Sequence, residues 1–386
     1  MPSTTRNAAS RSLPRALAFA LLLAPTVAAQ DSSRSEPPIF RIETNEFWLN
    51  LHNFLYVLGR HHGGQRDATR EAVVHAPADE QRGLAGLTQA ERDRWQRAVQ
   101  QYARTTSRRD PVFDPRLPDL LAALADQDDA ASLARASIEP SVARLLEDAA
   151  PIYRKAWWSE HRASNEGLKA SLTPLIDRHG RAILGFITDK YGTEWPADGY
   201  PIHLSAFTNW AGAYSTRGNF LAMSSQYDAV TGNYGLETLV HESMHQWDDM
   251  VVAQLSRHAS ELGVRLNGDL SHVMIFFTAG EAVRRAVPGH IPYAEANGVY
   301  ERRWGALRDA VVEIWKPYLD GNGTRDAALR ALVQRTGTSG SSYSPSRSRT
   351  RTNRGSRRTS ANIGPMRYGR TVFSSTLSSS HANVWS

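Results

Sequence analysis

The chain has 386 residues and no cysteine, which excludes disulfide staples and an acylated-cysteine anchor and leaves a hydrophobic core to hold the fold. Its net charge of +6 would ordinarily suggest nucleic acid or an anionic membrane. That charge sits at the ends: residues 1–30 carry three arginines and residues 337–386 eight, with no acid in either, leaving 34 basic against 39 acidic residues in the body, so no nucleic-acid partner is expected.

In chain order, "MPSTTRNAASRSLPR" is basic, "ALAFALLLAPTVAAQ" is apolar but short for a bilayer span, and Val27 and Ala29 supply small residues for a cleavage site. This order predicts a signal peptide over residues 1–30 and a secreted or periplasmic mature protein. No other stretch is long and apolar enough for a membrane span. After the linker "DSSRSEPPIF", residues Phe47, Trp48, Leu51, Phe54, Leu55 and Leu58 fall at helical spacing, and Gly63-Gly64 ends the run. Thr88 with Glu91 three residues later forms a capping-box pattern at the head of "TQAERDRWQRAVQQYART". The pattern stays helical through "LPDLLAALADQ" and on to Tyr191, which predicts a helical domain over residues 31–191. His161, beside Trp157 and Trp158, reads as a packing residue.

The texture changes near Trp195. "YPIHLSAF" and "NFLAMSSQY" read as two strands joined by a turn at "WAGAYSTRG". The helix "LETLVHESMHQWDDM" follows, then a polar stretch, "SRHASELGVRLNGDL", and an apolar helix, "SHVMIFFTAGEAVRRAV", stopped by Pro288 and Gly289. "ANGVYERRWGALRDAVVEIWKPYLDG" reads as one amphipathic helix and "TRDAALRALVQRTG" as the last. From Gly337 the sequence is serine, arginine and threonine with little periodicity, too poor in apolar residues to fold, so residues 337–386 are expected to be a disordered basic tail. The expected class is α+β, mostly α: a helical domain over 31–191, then residues 192–336 with a small sheet and a site-bearing helix.

That helix carries His241, Glu242 and His245. Residues four apart share a helical face, about 5–6 Å between Cβ atoms, so the two imidazoles can reach one metal ion. Glu242 is turned about 100° from His241 and is placed to take a proton from a water rather than to ligate. Two histidines with a glutamate after the first form a zinc site with a general base. The surroundings fit: "TLVHESMHQW" holds no other charged residue, and Thr238, Ser243, Met244 and Trp247 suit the longer pattern.

On these residues the stretch from about Pro196 to Pro288 resembles the zincin metallopeptidases. The resemblance implies an α+β domain, a Zn2+ cofactor, a peptide or protein substrate, and an edge strand, here "NFLAMSSQ", along which an extended substrate pairs. The metzincin extension is absent, since "HQWDDMVVAQL" follows the motif. The gluzincin-like arrangement remains, in which a glutamate on a later helix is the third ligand. Glu281 in "FFTAGEAVRR" fills that position, its alternative role being an ion pair with Arg284 or Arg285. His272, nine residues earlier and about 180° round the same helix, is the rival for that third ligand position, and the two are not expected to bind one ion together. His272 is expected as a catalytic residue that donates to the developing oxyanion, or as a histidine satisfied at the helix start; His290 and Tyr293 are further oxyanion candidates. Asp248, seven residues after His241, either receives that imidazole's N–H or belongs to a solvated face. The alternative to a peptidase is a non-catalytic exported binding protein with a structural or vestigial zinc; a zinc hydrolase acting on another substrate is a third reading.

Overall fold

The computed structural model describes residues 37–339, apart from 66, 68, 69, 128, 130, 131 and 217. The signal peptide expected over residues 1–30, the linker up to residue 36 and the tail from residue 340 lie outside the described residues.

Strand β1 (Phe40–Glu43) leads into α1 (Phe47–His62). Two short helices, α2 (Glu71–Val74) and α3 (Ala76–Leu84), precede α4 (Gln89–Arg104). The capping box forms as the sequence predicts: Glu91 N donates to Thr88 Oγ1 at 3.3 Å, and Thr88 N donates to Glu91 Oε2 at 2.7 Å. Helices α5 (Leu117–Ala125) and α6 (Pro140–Ala156) follow, then α7 (Trp158–Tyr191), 34 residues long. Gly192 caps α7 in the left-handed conformation, at φ +60°.

Three strands come next: β2 (Tyr200–Ser205), β3 (Ala213–Thr216) and β4 (Phe220–Ser224). Helix α8 (Gly232–Met244) tightens into a 3-10 turn at His245–Trp247 before α9 (Asp248–Leu262). The first part of the polar stretch, from Ser256 to Leu262, is the end of α9, a helix that buries Val251, Leu255, His258 and Ala259 on one side. Strand β5 (Val264–Arg265) precedes α10 (Leu270–Ala286). After the short α11 (Tyr293–Ala296), the stretch expected as one amphipathic helix is divided into α12 (Val299–Arg303), α13 (Gly305–Ala310) and α14 (Lys316–Leu319), with a π-helical turn at Val311–Trp315. Gly298, at φ +59°, interrupts the helical path between the first two. Helix α15 (Arg325–Thr336) follows, and β6 (Thr338–Ser339) pairs with β5, so regular structure runs two residues past position 337.

The main sheet has the order β1-β2-β4-β3, with β1, β2 and β4 parallel and β3 antiparallel at the edge. The two strands read from the sequence are therefore parallel neighbours rather than a hairpin, and "WAGAYSTRG" holds a third strand. Parallel neighbours need a crossover, and the chain makes it by laying β3 on the far side of β4. The edge strand is consequently β3, and "NFLAMSSQ" is interior. All five residues of β4 are buried, because the sheet is covered on both faces. Phe220 and Ala222 pack with Leu49 of α1, Leu121 of α5 and Tyr214, while Leu221 and Met223 join the core made with α7, α8 and α10.

The boundary expected at residue 191 falls inside this arrangement. Strand β1 pairs with β2 in register Phe40 to Tyr200, and Leu172, Ile183 and Ile187 of α7 share a core with Leu236 and Leu239 of α8. A Cβ at Gly235 would run into Leu172 and the Val230 carbonyl, so glycine there lets α8 approach α7 closely. The fold is mostly helical with a small mixed sheet, the α+β class expected. No helix among the described residues is long and apolar enough to cross a membrane.

Candidate metal centre

Every residue from Gly235 to Met244 of α8 is buried, which explains a helix apolar on all sides except for the polar groups it uses. His241 and His245 project from adjacent turns, their ring centroids 5.1 Å apart. Helix α10 brings a third imidazole: His272, in its first turn, has its ring 5.4 Å from His241 and 5.2 Å from His245. One potential ligand atom from each of the three lies within 4.8 Å of the other two, a cluster that could hold a metal ion. Phe276, one turn after His272, packs its ring 4.0 Å from His241 and 5.1 Å from His272, and Trp304 closes in at 5.4 Å from His272.

This grouping differs from the expected ligand set of His241, His245 and Glu281. Glu281 is buried but paired with Arg284 and Arg285 of its own helix, and Arg285 also pairs with Asp320. The reason is the half-turn arithmetic: His272 and Glu281 point to opposite sides of α10, and the side bearing His272 and Phe276 faces α8. His272 thus joins the two motif histidines, where the sequence reading had made it an oxyanion donor. His290 and Tyr293 lie elsewhere: His290 Nε2 is 2.6 Å from Glu237 Oε2, and Tyr293 N donates to the same carboxylate.

Glu242 sits between the imidazoles and the edge strand, with its Oε1 4.0 Å from His241 Nε2. Ser215 Oγ of β3 lies 2.8 Å from its Oε2 and 2.7 Å from its backbone carbonyl oxygen. Burial raises the Glu242 pKa, and the charge of His245 and the Ser215 hydroxyl only partly offset this. Burial also holds His241 well below the usual imidazole range, reinforced by the neighbouring His245 and His272. Its ring is thereby kept neutral, the form in which histidine ligates. At His245 burial pulls downward, but Asp248, bonded and charged, together with the Glu242 charge outweighs it and the pKa is raised. Asp248 Oδ2 accepts from His245 Nδ1 at 2.7 Å, which leaves Nε2 as the donor atom for a cation. The expected partner of Asp248 was His241, on the seven-residue spacing of an unbroken helix. The 3-10 turn at His245–Trp247 shifts the phase and presents Asp248 to His245 instead.

The cluster opens into a cleft of about 620 Å³ whose lining includes His241, Glu242, His245, Asp248, His272, Trp304 and the β3 residues Ala213 to Thr216. His161 takes no part: its Nε2 is 2.6 Å from Asp79, its Nδ1 is 2.8 Å from the Tyr153 hydroxyl, and it packs edge-on to Phe54. Sequence reasoning missed Ser215, which lay in a segment taken for a turn. The aromatic and β-branched residues Tyr214 and Thr216, in a short run bounded by Gly212 and Gly218, are the available signal. No protein-family model, curated protein or solved structure matches the chain, so the site alone carries the functional reading.

Proposed function

We propose that the protein is an exported zinc-dependent metallopeptidase of zincin type, with His241, His245 and His272 as the zinc ligands and Glu242 as general base. The observation that carries this reading is the convergence of three imidazoles beside a buried glutamate in an open cleft. The donor set fits zinc: all-nitrogen ligation suits it, one ring is kept neutral by burial, and another has its outer nitrogen fixed by a carboxylate. Zinc bound there would supply a water of lowered pKa and polarise a carbonyl.

The chain's own groups then divide the work. Asp248 orients the His245 ring. Ser215 ties Glu242 to the edge strand, so the base and the strand keep one spacing. Among the described residues strand β3 pairs with β4 alone, and it lines the cleft on the way to Glu242, which suits an extended peptide added alongside it. Glu242 takes a proton from the attacking water and delivers it to the departing amine.

The test is Glu242→Ala in the full chain, assayed with a quenched-fluorescence peptide mixture. Metal content should match the wild type and peptide cleavage should disappear. Cleavage at the wild-type rate in that variant would remove Glu242 from the mechanism.

A further inference from the structure

The described residues include five large apolar side chains that are exposed: Val74, Val112, Phe113, Val252 and Ile291. Single exposed apolar residues are ordinary on any surface. Val112 and Phe113 are different, because they are adjacent, 40% and 54% exposed, and both line the cleft that holds the three histidines. Trp210 and Tyr214 line the same cleft.

The loop that displays the pair, residues 109–116, is tied at its start to α1 and Trp210 and braced within itself. Tyr56 Oη donates to the Arg109 carbonyl at 2.8 Å. Asp110 accepts from Val112 N at 2.9 Å with one carboxylate oxygen and from Trp210 Nε1 at 3.0 Å with the other. Asp114 N donates to the Asp110 carbonyl at 2.8 Å, and Asp114 pairs with Arg116 at 2.9 Å. An apolar pair exposed on a loop so firmly tied is a built surface, and one whose ordering cost has been met before a ligand arrives.

We infer that Val112 and Phe113 form an apolar subsite that selects peptides carrying a large apolar side chain. This deepens the peptidase reading and rests on it for the class of ligand. A peptide extended along β3 points alternate side chains in opposite directions, so one set of alternate positions reaches the loop wall while the backbone stays on the strand. A charged side chain at that position would exchange water for Val112, Phe113 and Trp210, and is disfavoured.

The test uses two blocked hexapeptides, one of alanine throughout and one with a single central phenylalanine. Binding is measured by calorimetry to the full chain carrying Glu242→Gln, and to the same chain with Phe113→Ser added. Because Phe113 is exposed, its replacement should leave the fold intact. The phenylalanine peptide should bind about tenfold or more tightly than the alanine peptide, and the ratio should fall to within about twofold after Phe113→Ser. Equal binding of the two peptides, no measurable binding of either, or a preference that survives Phe113→Ser would each overturn the inference. Failure of the peptidase reading looks different: the wild-type chain would bind the phenylalanine peptide preferentially and never cleave it.

Discussion

Removing the Asp248 carboxylate tests whether the arrangement around the histidines is built for a metal. Asp248 Oδ2 accepts the His245 Nδ1 hydrogen at 2.7 Å and so fixes which nitrogen faces the cleft. Outer partners of ligating histidines are worth about 10–100-fold in metal affinity. The Asp248 side chain is 41% exposed, so water screens its charge and can take its place in part, which puts the expected loss at the lower end. We therefore expect Asp248→Ala to weaken zinc about tenfold, or about 1.4 kcal/mol, and Asp248→Asn, which keeps an acceptor without the charge, to weaken it about threefold. Competition against a chromophoric zinc chelator at fixed pH and ionic strength reads both values. Asp249→Ala is the control, being exposed at the next position and without a role on His245. Unchanged affinity in Asp248→Ala, or an equal loss in Asp249→Ala, would refute the orienting role.

Two further outcomes follow from the same geometry. Ser215→Ala removes the hydroxyl beside Glu242, and a hydrogen bond to a charged group contributes about 1.5–3 kcal/mol; kcat on a cleaved peptide should fall about tenfold or more with metal content unchanged, Ser215→Thr should retain most of it, and equal rates in Ser215→Ala and wild type would contradict the positioning role. Burial raises the Glu237 pKa above its ordinary 4.5 despite the His290 contact, and a carboxylate raised in the folded state costs stability as pH climbs from its unfolded value through its folded one; Glu237→Gln should flatten the fall in stability that urea titrations read as pH rises above 4.5, and an unchanged slope would contradict the assignment.

Local patterns were legible in the sequence where local forces decide the structure. The apolar spacing of α1, the Thr88–Glu91 capping box and the His241/His245 pair all depend on neighbours within one or two helical turns. What escaped depends on contacts between distant segments. Strand β3 is four residues long and gains its meaning from pairing with β4, and nothing within it says that Ser215 meets Glu242. The end of α9 reads only as a polar stretch because few of its residues are buried. The third histidine shows the limit most clearly. Helical arithmetic states correctly that His272 and Glu281 oppose each other on α10, but not which of them faces α8. Packing decides that: Phe276 lies against His241 on the His272 side, and Glu281 is claimed by Arg284 and Arg285.

We propose that three histidines, and not two histidines with Glu281, form a zinc site. Zinc content of the purified protein, measured for the wild type, His272→Ala and Glu281→Gln after each is shown to be folded, addresses it directly. We predict about one zinc per chain in the wild type, its loss in His272→Ala and its retention in Glu281→Gln. Retention in His272→Ala with loss in Glu281→Gln, or no zinc in the wild type even after it is supplied, would contradict the account.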